Sequence, residues 1–197
     1  MDLLKRLTNA LEALIGYEEE LNLPENKGKS ETEIKEIAKK KGDAFENYVL
    51  KQFDTKKYFK LVDCTRDAKI LDVYPESNKH PDLTLEYSKS KDRFAIECKF
   101  RSSYYFSKER KQNVIRWARR DQINNYLKYQ KETGIPVYIV IGIGNNILQG
   151  EAPKEEYCVP LDAIKNYPEI FVSFLKKYKR EDPAKNFFWD TKNKTLQ

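Results

Sequence analysis

The sequence predicts an α/β fold in which helices flank a mixed central β-sheet. Two consecutive segments, 82–87 and 93–100, alternate apolar and polar residues, the pattern of strands that turn one face to a core. A third segment, 136–143, is almost entirely apolar, which is typical of a strand buried on both faces. Segments with apolar residues at helical spacing precede and separate these strands, as expected for the α/β class.

The first helix is predicted over residues 3–23, where leucines recur at helical spacing and Asp2 is available as the N-cap. Pro24 and Gly28 end this pattern. Residues 1–28 are therefore interpreted as an N-terminal helix with its linker, and residues 29–197 as the main domain. The helix could form a homodimer or pack on its own domain, and both interpretations remain open.

A second helix is expected to begin at Ser30 or Thr32 and to end near Phe53. Glu33 follows Ser30 at the spacing of a capping box. The apolar stripe of this helix consists of Ile34, Ala38, Phe45, Val49 and Phe53. A first strand is then expected over 59–64, before an irregular polar stretch.

The hydrophobic pattern also predicts how segments 82–87 and 93–100 pair as a hairpin. With a loop of two or four residues, Asp82 lies opposite Glu97 or Lys99, and the apolar rows share one face. A loop of three or five residues would place Asp82 opposite Cys98 and mix the faces. The pattern therefore favours a register that brings two carboxylates and one ammonium together.

The remaining elements follow the hairpin in order. After a basic loop over 101–111, a long helix is expected over 113–130. Residues 157–160 predict a short strand, and 168–178 an amphipathic helix. The aromatic residues of 187–189 are expected to close the sheet or to pack on its edge.

Composition excludes several classes of function. The single histidine, His80, rules out zinc sites built from two histidines of the same chain. The sequence has no phosphate-binding P-loop, so ATP hydrolysis has no support. A formal net charge of +6 favours polyanionic partners, although surface lysine and glutamate residues alone could produce it. Any catalysis is therefore expected to use carboxylates and lysine.

Three dispersed cysteines without a C-x-x-C pair argue against a disulfide framework and favour a reducing compartment. The first residues do not have the apolar core of a signal peptide, and the longest apolar segment is too short to cross a membrane. We expect a cytoplasmic protein without a membrane partner.

The predicted cluster has the chemistry of a Mg²⁺ site. Asp82 and Glu97 would repel each other without a cation, and Mg²⁺ prefers oxygen ligands, of which the Cys98 backbone carbonyl could be a third. Lys99 could orient or deprotonate the attacking water and stabilise negative charge in phosphodiester hydrolysis. The alternative is a plain salt-bridge cluster on a solvated strand face.

Pro81-Asp82 followed by Glu97-Cys98-Lys99 resembles the motif of the PD-(D/E)XK nuclease superfamily. The resemblance covers about 41–143. It implies the restriction-endonuclease-like form of the α/β fold and Mg²⁺-dependent hydrolysis of DNA, with Mn²⁺ as a substitute. It also implies that Glu46 is the acidic residue that these nucleases often carry on the preceding helix. Endonuclease or exonuclease action, and DNA or RNA as substrate, stay open.

Gln122 and Tyr126 look like the Q-x-x-x-Y element of the RecB-like branch. Residues at this spacing share a helix face, so both could lean over the metal or the scissile strand. The sequence departs from that branch in two respects. Three dispersed cysteines cannot form its four-cysteine iron–sulfur site, and no histidine lies near Glu46. The resemblance therefore extends to the superfamily rather than to a branch.

A basic run after the E-x-K strand predicts contacts with phosphates. Its predicted substrate-binding residues are Arg101, Lys108, Arg110, Lys111, Arg116, Arg119 and Arg120. Planar groups that could stack on bases are Tyr104, Tyr105, Phe106 and Trp117. Two alternatives remain open: a catalytically inactive nucleic-acid-binding module of the same fold, and a protein-interaction component whose basic face contacts an acidic partner.

Overall fold

A computed structural model of the chain describes residues 26–64 and 80–197. In chain order the elements are α1 (Glu31–Lys51), β1 (Phe59–Cys64), β2 (Leu83–Tyr87), β3 (Arg93–Arg101), β4 (Tyr105–Ser107), β5 (Gln112–Arg116), α2 (Arg120–Thr133), β6 (Val137–Ile143), β7 (Glu155–Pro160), α3 (Leu161–Ile164), β8 (Glu169–Phe171), α4 (Val172–Leu175), β9 (Trp189–Asp190) and β10 (Thr195–Leu196). The predicted N-terminal helix and its dimer lie outside the described residues, as does most of the polar stretch before His80.

The central sheet has five strands in the order β1-β2-β3-β6-β7. β1, β2 and β3 pair antiparallel, β3 and β6 pair parallel, and β7 is antiparallel to β6. Helices cover both faces of this sheet. The predicted class, a mixed central sheet flanked by helices, is therefore confirmed.

Each face of the sheet packs on a different helix. On one face, Phe45 and Val49 of α1 belong to the same buried cluster as Phe94 of β3. On the other face, Ile123 of α2 is buried together with Ile139 of β6. Every residue of β6 is buried, as its continuous apolar sequence predicts.

The start of α1 confirms the predicted capping box. The Ser30 hydroxyl oxygen accepts a hydrogen bond from the Glu33 backbone N–H at 3.3 Å, and the Glu33 carboxylate accepts one from the Ser30 N–H at 2.7 Å. Farther along, α1 approaches the sheet at Gly142. A Cβ atom at this position would lie 2.4 Å from Cε2 of Phe45, so the seating of α1 requires glycine there.

The long helix predicted over 113–130 is wrong in its first part. Residues Gln112–Arg116 form β5, which pairs with β4 and β8 in a three-stranded sheet, and α2 begins only at Arg120. The consecutive β-branched residues Val114 and Ile115 favour extended backbone, and both are buried once β8 is in place.

The helix predicted over 168–178 is also wrong. Its first residues form β8, followed by the short helix α4 and a 3₁₀ turn over Lys176–Tyr178. Residues 169–171 pair with β5 instead of forming a helix. The stabilisation from this pairing outweighs the helical spacing of their apolar side chains.

The aromatic residues of 187–189 pack against the buried cluster on the α1 face. Phe187 stacks on Phe53 with ring centroids 4.7 Å apart, and Trp189 stacks on Phe94 at 4.8 Å. Trp189 belongs to the separate two-stranded sheet of β9 and β10. Of the two predicted roles of residues 187–189, the structure therefore shows packing; these residues do not add a strand to the central sheet.

All three cysteines are free; Cys98 and Cys158 are buried, and Cys64 is half-buried at the end of β1. Burial raises the pKa of the Cys158 thiol to about 12. Across residues 26–64 and 80–197, none of the helices has both the length and the apolar character needed to span a membrane.

Candidate functional site

The site is built on the hairpin of β2 and β3. Leu83 pairs with Ile96 and Leu85 with Phe94, so the loop over 88–91 has four residues. This is the register that the hydrophobic pattern predicts. One step beyond the last observed pair, Asp82 stands across from Glu97.

Asp82 lies just before β2 and is bound directly to β3. Its Oδ2 atom accepts a hydrogen bond from the backbone N–H of Cys98 at 2.8 Å. Burial raises the pKa of the Asp82 carboxyl well above its usual range, and the nearby carboxylates of Glu97 and Glu46 raise it further. Lys99 acts in the opposite direction. Asp82 therefore lies in an environment with excess negative charge.

Glu97, Lys99 and Tyr126 form a hydrogen-bonded group. Glu97 is 4% exposed. Its Oε1 atom accepts a hydrogen bond from the Tyr126 hydroxyl at 2.6 Å and another from the Lys99 ammonium. Burial raises the pKa of Tyr126 well above its ordinary value, with Glu97 as the next cause, so this hydroxyl stays protonated and able to donate.

The polar row of the hairpin lies under α2 rather than in solvent. Ala95 is fully buried, and the Thr84 hydroxyl lies 3.0 Å from the hydroxyl of Tyr129 on α2. Carboxylates in such an environment lose hydration and need a compensating positive charge. A solvated salt-bridge cluster does not describe this arrangement.

Glu46 extends the acidic group from α1. Its charge raises the pKa of both Asp82 and the Cys98 thiol, although burial is the larger cause for each. This influence puts Glu46 at the same end of the hairpin as Asp82. Three carboxylates, those of Glu46, Asp82 and Glu97, thus share a neighbourhood with the ammonium of Lys99.

Among the described residues, no group of three or more histidine, cysteine, aspartate or glutamate side chains is arranged to hold a metal ion. A Mg²⁺ ion commonly keeps several waters and binds through one or two carboxylates. The donors available here are Asp82, Glu97 and the Cys98 carbonyl. They suit an ion of this kind and do not suit a fully protein-ligated cage.

The structure places Gln122 and Tyr126 in different surroundings. The Gln122 side-chain oxygen accepts a hydrogen bond from the Arg119 backbone N–H at 3.1 Å, which closes the first turn of α2. Tyr126 is buried against Glu97, one turn farther on. Of this i, i+4 pair, the structure brings Tyr126 alone into the acidic group.

Four of the seven predicted substrate-binding cations bond to other parts of the chain. Arg101 donates to the backbone carbonyl of Arg116 at 2.9 Å, and Arg120 donates to that of Asn166 at 2.9 Å. The other two form ion pairs, Arg116 with Glu169 and Arg119 with Asp121. Arg101, Arg116 and Arg120 thereby connect segments that are distant along the chain, whereas the Arg119 pair is local and exposed.

The other three cations, Lys108, Arg110 and Lys111, are exposed in the loop between β4 and β5. The planar groups divide similarly. Trp117 is fully buried, and the Tyr104 hydroxyl lies 2.7 Å from that of Tyr157, whereas Phe106 is 61% exposed.

Sequence reasoning missed a second buried charged group, on β7. Glu156 is fully buried and accepts hydrogen bonds from Arg180 at 2.7 Å and from Gln52, the C-cap of α1, at 3.2 Å. Burial raises the pKa of Glu156 to about 7. The signal in the sequence was weak: a glutamate directly before the apolar segment of 157–160. This group links the end of α1 to the C-terminal segment.

Comparisons with known proteins add little to this geometry. No family model matches the chain, and no curated protein matches it. Among solved structures, the chain is similar to Hjc, a Holliday junction resolvase from the archaeal hyperthermophile Archaeoglobus fulgidus. The two share 15% identity with a TM-score of 0.43, over 75% of this chain and 99% of that one. A likeness of this degree assigns no function to the chain.

Proposed function

We propose that this chain is a Mg²⁺-dependent nuclease of the PD-(D/E)XK type that hydrolyses phosphodiester bonds of DNA. One observation carries the proposal: Asp82, just before β2, stands across from Glu97 of β3, and the Lys99 ammonium is bound to Glu97. The P-D and E-C-K residues that resemble the superfamily motif are therefore the residues that meet in space. The cluster is buried, and buried titratable groups with shifted pKa values are typical of functional sites rather than of a solvated surface.

The residues that would hold the ion are Asp82, Glu97 and the Cys98 carbonyl. Within residues 26–64 and 80–197, both side-chain hydrogen bonds to the Glu97 carboxylate reach Oε1, and Oε2 is the oxygen that would face a cation. A bound Mg²⁺ would polarise the phosphate and lower the pKa of a coordinated water. The hydrogen bond from Tyr126 orients the Glu97 carboxylate. Because all the donors in this set are oxygen atoms, the site suits a hard cation such as Mg²⁺.

Lys99 is the group that would act on the substrate. Its side chain is 13% exposed, so it is largely buried beside Glu97 but not closed off from solvent. The ammonium lies 5.8 Å from the centroid of the Tyr126 ring, which confines it beside Glu97. From this position it can donate hydrogen bonds to an attacking water or to a non-bridging phosphate oxygen.

The test is incubation with single-stranded, duplex and circular DNA in the presence of Mg²⁺, Mn²⁺ or a chelator. We expect cleavage that requires the ion and falls by roughly 10²- to 10³-fold or more in Asp82→Asn, Glu97→Gln and Lys99→Met. DNA binding should stay close to that of the wild type. Cleavage of the circular substrate would identify an endonuclease.

Glu86→Gln is the matched control, because Glu86 lies on the same row of β2 but pairs with Arg93 at the other end of the hairpin. It should cleave like the wild type. The proposal fails if no ion supports cleavage while DNA still binds, which would indicate the inactive binding module. It also fails if the three variants lose binding only because they unfold, as measured by circular dichroism.

A further inference from the structure

The hairpin of β4 and β5 protrudes from the domain. Its base is fixed, since Val114 and Ile115 are buried and β5 pairs with β8. Its outer part is exposed: Phe106, the loop residues 108–111, and Gln112 and Asn113 all face solvent. The hairpin follows β3 directly along the chain and ends four residues before α2 begins. It therefore borders the elements that carry Lys99 and Tyr126.

The pairing pattern shows where the exposed ring points. Phe106 pairs with Asn113, so the two side chains share a face of the small sheet. Ile115 lies two residues farther along β5 and belongs to the same face, which packs on the domain. Phe106 thus projects from the inward face of the hairpin, at a point beyond the edge of the core, and stays 61% exposed.

Three cations follow this ring along the chain, in the loop at the tip of the hairpin. Lys108, Arg110 and Lys111 are all exposed, with Glu109 as the single acidic residue of the loop. Within residues 26–64 and 80–197, neither Lys108 nor Lys111 has an ion-pair partner. The guanidinium of Arg110 lies 5.6 Å from the centroid of the Phe171 ring.

The loop itself has a defined conformation. The Ser107 hydroxyl oxygen accepts a hydrogen bond from the Arg110 backbone N–H at 3.2 Å, and Lys111 adopts a φ of 50°. The cations are therefore presented by an ordered turn.

We propose that this hairpin binds a stretch of unpaired nucleotides, with the Phe106 ring stacked on a base and Lys108, Arg110 and Lys111 on the flanking phosphates. An aromatic ring on a cationic surface matches the two chemical parts of a single strand, the base and the phosphate. Bases in a duplex are already stacked on their neighbours, and exposing one costs free energy. The proposal deepens the proposed function, on which it rests for the class of ligand, and assigns the enzyme a substrate with an unpaired segment.

The test measures binding without cleavage. Fluorescence anisotropy in EDTA would compare a 20-nucleotide oligothymidylate with a duplex that carries the same number of phosphates. Phe106→Ala should weaken oligothymidylate binding about tenfold and duplex binding by less than about twofold, whereas Phe106→Tyr should bind like the wild type. Phe188→Ala, which removes another aromatic side chain that is 60% exposed, is the matched control and should change neither affinity.

The cations give an independent measurement. Replacing Lys108, Arg110 and Lys111 together by glutamine should weaken both complexes and reduce the slope of log affinity against log salt by about two for the oligonucleotide. An unchanged slope would overturn the proposal, as would a Phe106→Ala variant that binds oligothymidylate like the wild type or loses both probes equally.

These outcomes are separable from those of the cleavage test. Glu97→Gln should bind oligothymidylate like the wild type even though it does not cleave. A chain that cleaves DNA but shows no effect of Phe106→Ala retains the proposed function and loses this inference. Failure of the wild type to bind oligothymidylate overturns the inference whether or not cleavage is seen.

Discussion

The two hairpins that follow one another along the chain have loops of the same length and differ in what covers them. Each has a four-residue loop whose last residue is a lysine in the left-handed region, Lys91 with a φ of 62° and Lys111 with a φ of 50°. The β2–β3 hairpin lies between two helices and carries buried carboxylates. The β4–β5 hairpin protrudes and carries exposed cations.

This difference shows that the burial of a charged side chain determines the kind of ligand it suits. Under α2, the charge of Glu97 is costly to bury and is held by Tyr126 and Lys99, an arrangement suited to fixed chemistry at one point. At the tip of β4–β5, Lys108 and Lys111 remain hydrated and suit contacts with an extended anionic ligand. Four predictions follow the contrast, from the largest expected effect to the smallest.

The largest contrast should be in stability. Leu85 in β2 is fully buried, so Leu85→Ala should lower the free energy of unfolding by about 2–5 kcal/mol. Asn113→Ala on the exposed part of β5 should change it by less than about 0.5 kcal/mol. Urea unfolding followed by circular dichroism measures both. Equal losses would break the distinction between a covered and a protruding hairpin.

The packing of α1 on the central sheet, which covers one face of the first hairpin, depends on Gly142. Gly142→Ala places a methyl group against the Phe45 ring and should cost about 1–3 kcal/mol in the free energy of unfolding. The matched control is Gly42→Ala, within α1, where nothing lies within 4 Å of the added Cβ atom. That variant should be more stable by about 0.5–1 kcal/mol, because alanine is the better helix former.

A double-mutant cycle with Phe45→Leu would locate the clash. The smaller ring-free side chain should reduce the cost of Gly142→Ala, so the two changes should be less than additive. Strict additivity would show that α1 does not depend on this contact.

The loop of the first hairpin should give a smaller, pH-dependent effect. Hydrogen bonds from Lys194, Ser90 and the Trp189 indole lower the pKa of Asp92 to about 2. Because the folded value lies below the unfolded one, the stabilisation is present above pH about 4 and disappears as the pH falls towards 2. Asp92→Asn should therefore lower the free energy of unfolding at pH 7 by up to about 1 kcal/mol and match the wild type at low pH.

Lys194→Met serves as the partner variant, since the Lys194 ammonium is the largest cause of the shift. Urea midpoints at several pH values between 7 and 2 would measure both. A difference between Asp92→Asn and wild type that is constant with pH would contradict the assignment.

The smallest effect tests whether the turns are equivalent. Lys91→Gly and Lys111→Gly should each raise the free energy of unfolding by about 0.5 kcal/mol, because glycine adopts a positive φ without steric cost. Lys89→Gly, at a loop position outside the left-handed region, should instead lower it. Thermal unfolding would compare the three variants. Opposite signs for Lys91→Gly and Lys111→Gly would show that the shared φ hides different turns.

The sequence predicted the first hairpin well and the second poorly, for a physical reason. Strict alternation from Leu83 to Tyr87 and from Arg93 to Phe100 admits one register, because a slip of one residue would turn every apolar side chain to the wrong face. Val114 and Ile115 are adjacent, and both are buried, so β5 shows no alternation. Its pairing with β4 on one side and with β8, which is distant along the chain, on the other distinguishes it from a helix.

The same distinction separates the site residues. Asp82 and Glu97 meet through local pairing, and the sequence could predict their proximity. The fate of Arg101 could not be predicted, because its guanidinium bonds to backbone carbonyls that only the folded chain brings within reach. Tyr126 was found from its spacing, but its burial against Glu97 depends on how α2 crosses the sheet.

The half-buried Cys64 has a practical consequence. The thiolate is the form that attacks thiol reagents, and burial raises the pKa of the Cys98 and Cys158 thiols, so Cys64 should be the fastest site to label at neutral pH. Its backbone pairs with that of Leu83, the neighbour of Asp82. A fluorophore attached to the natural chain there would sit beside the acidic group and could report the arrival of DNA without an engineered cysteine.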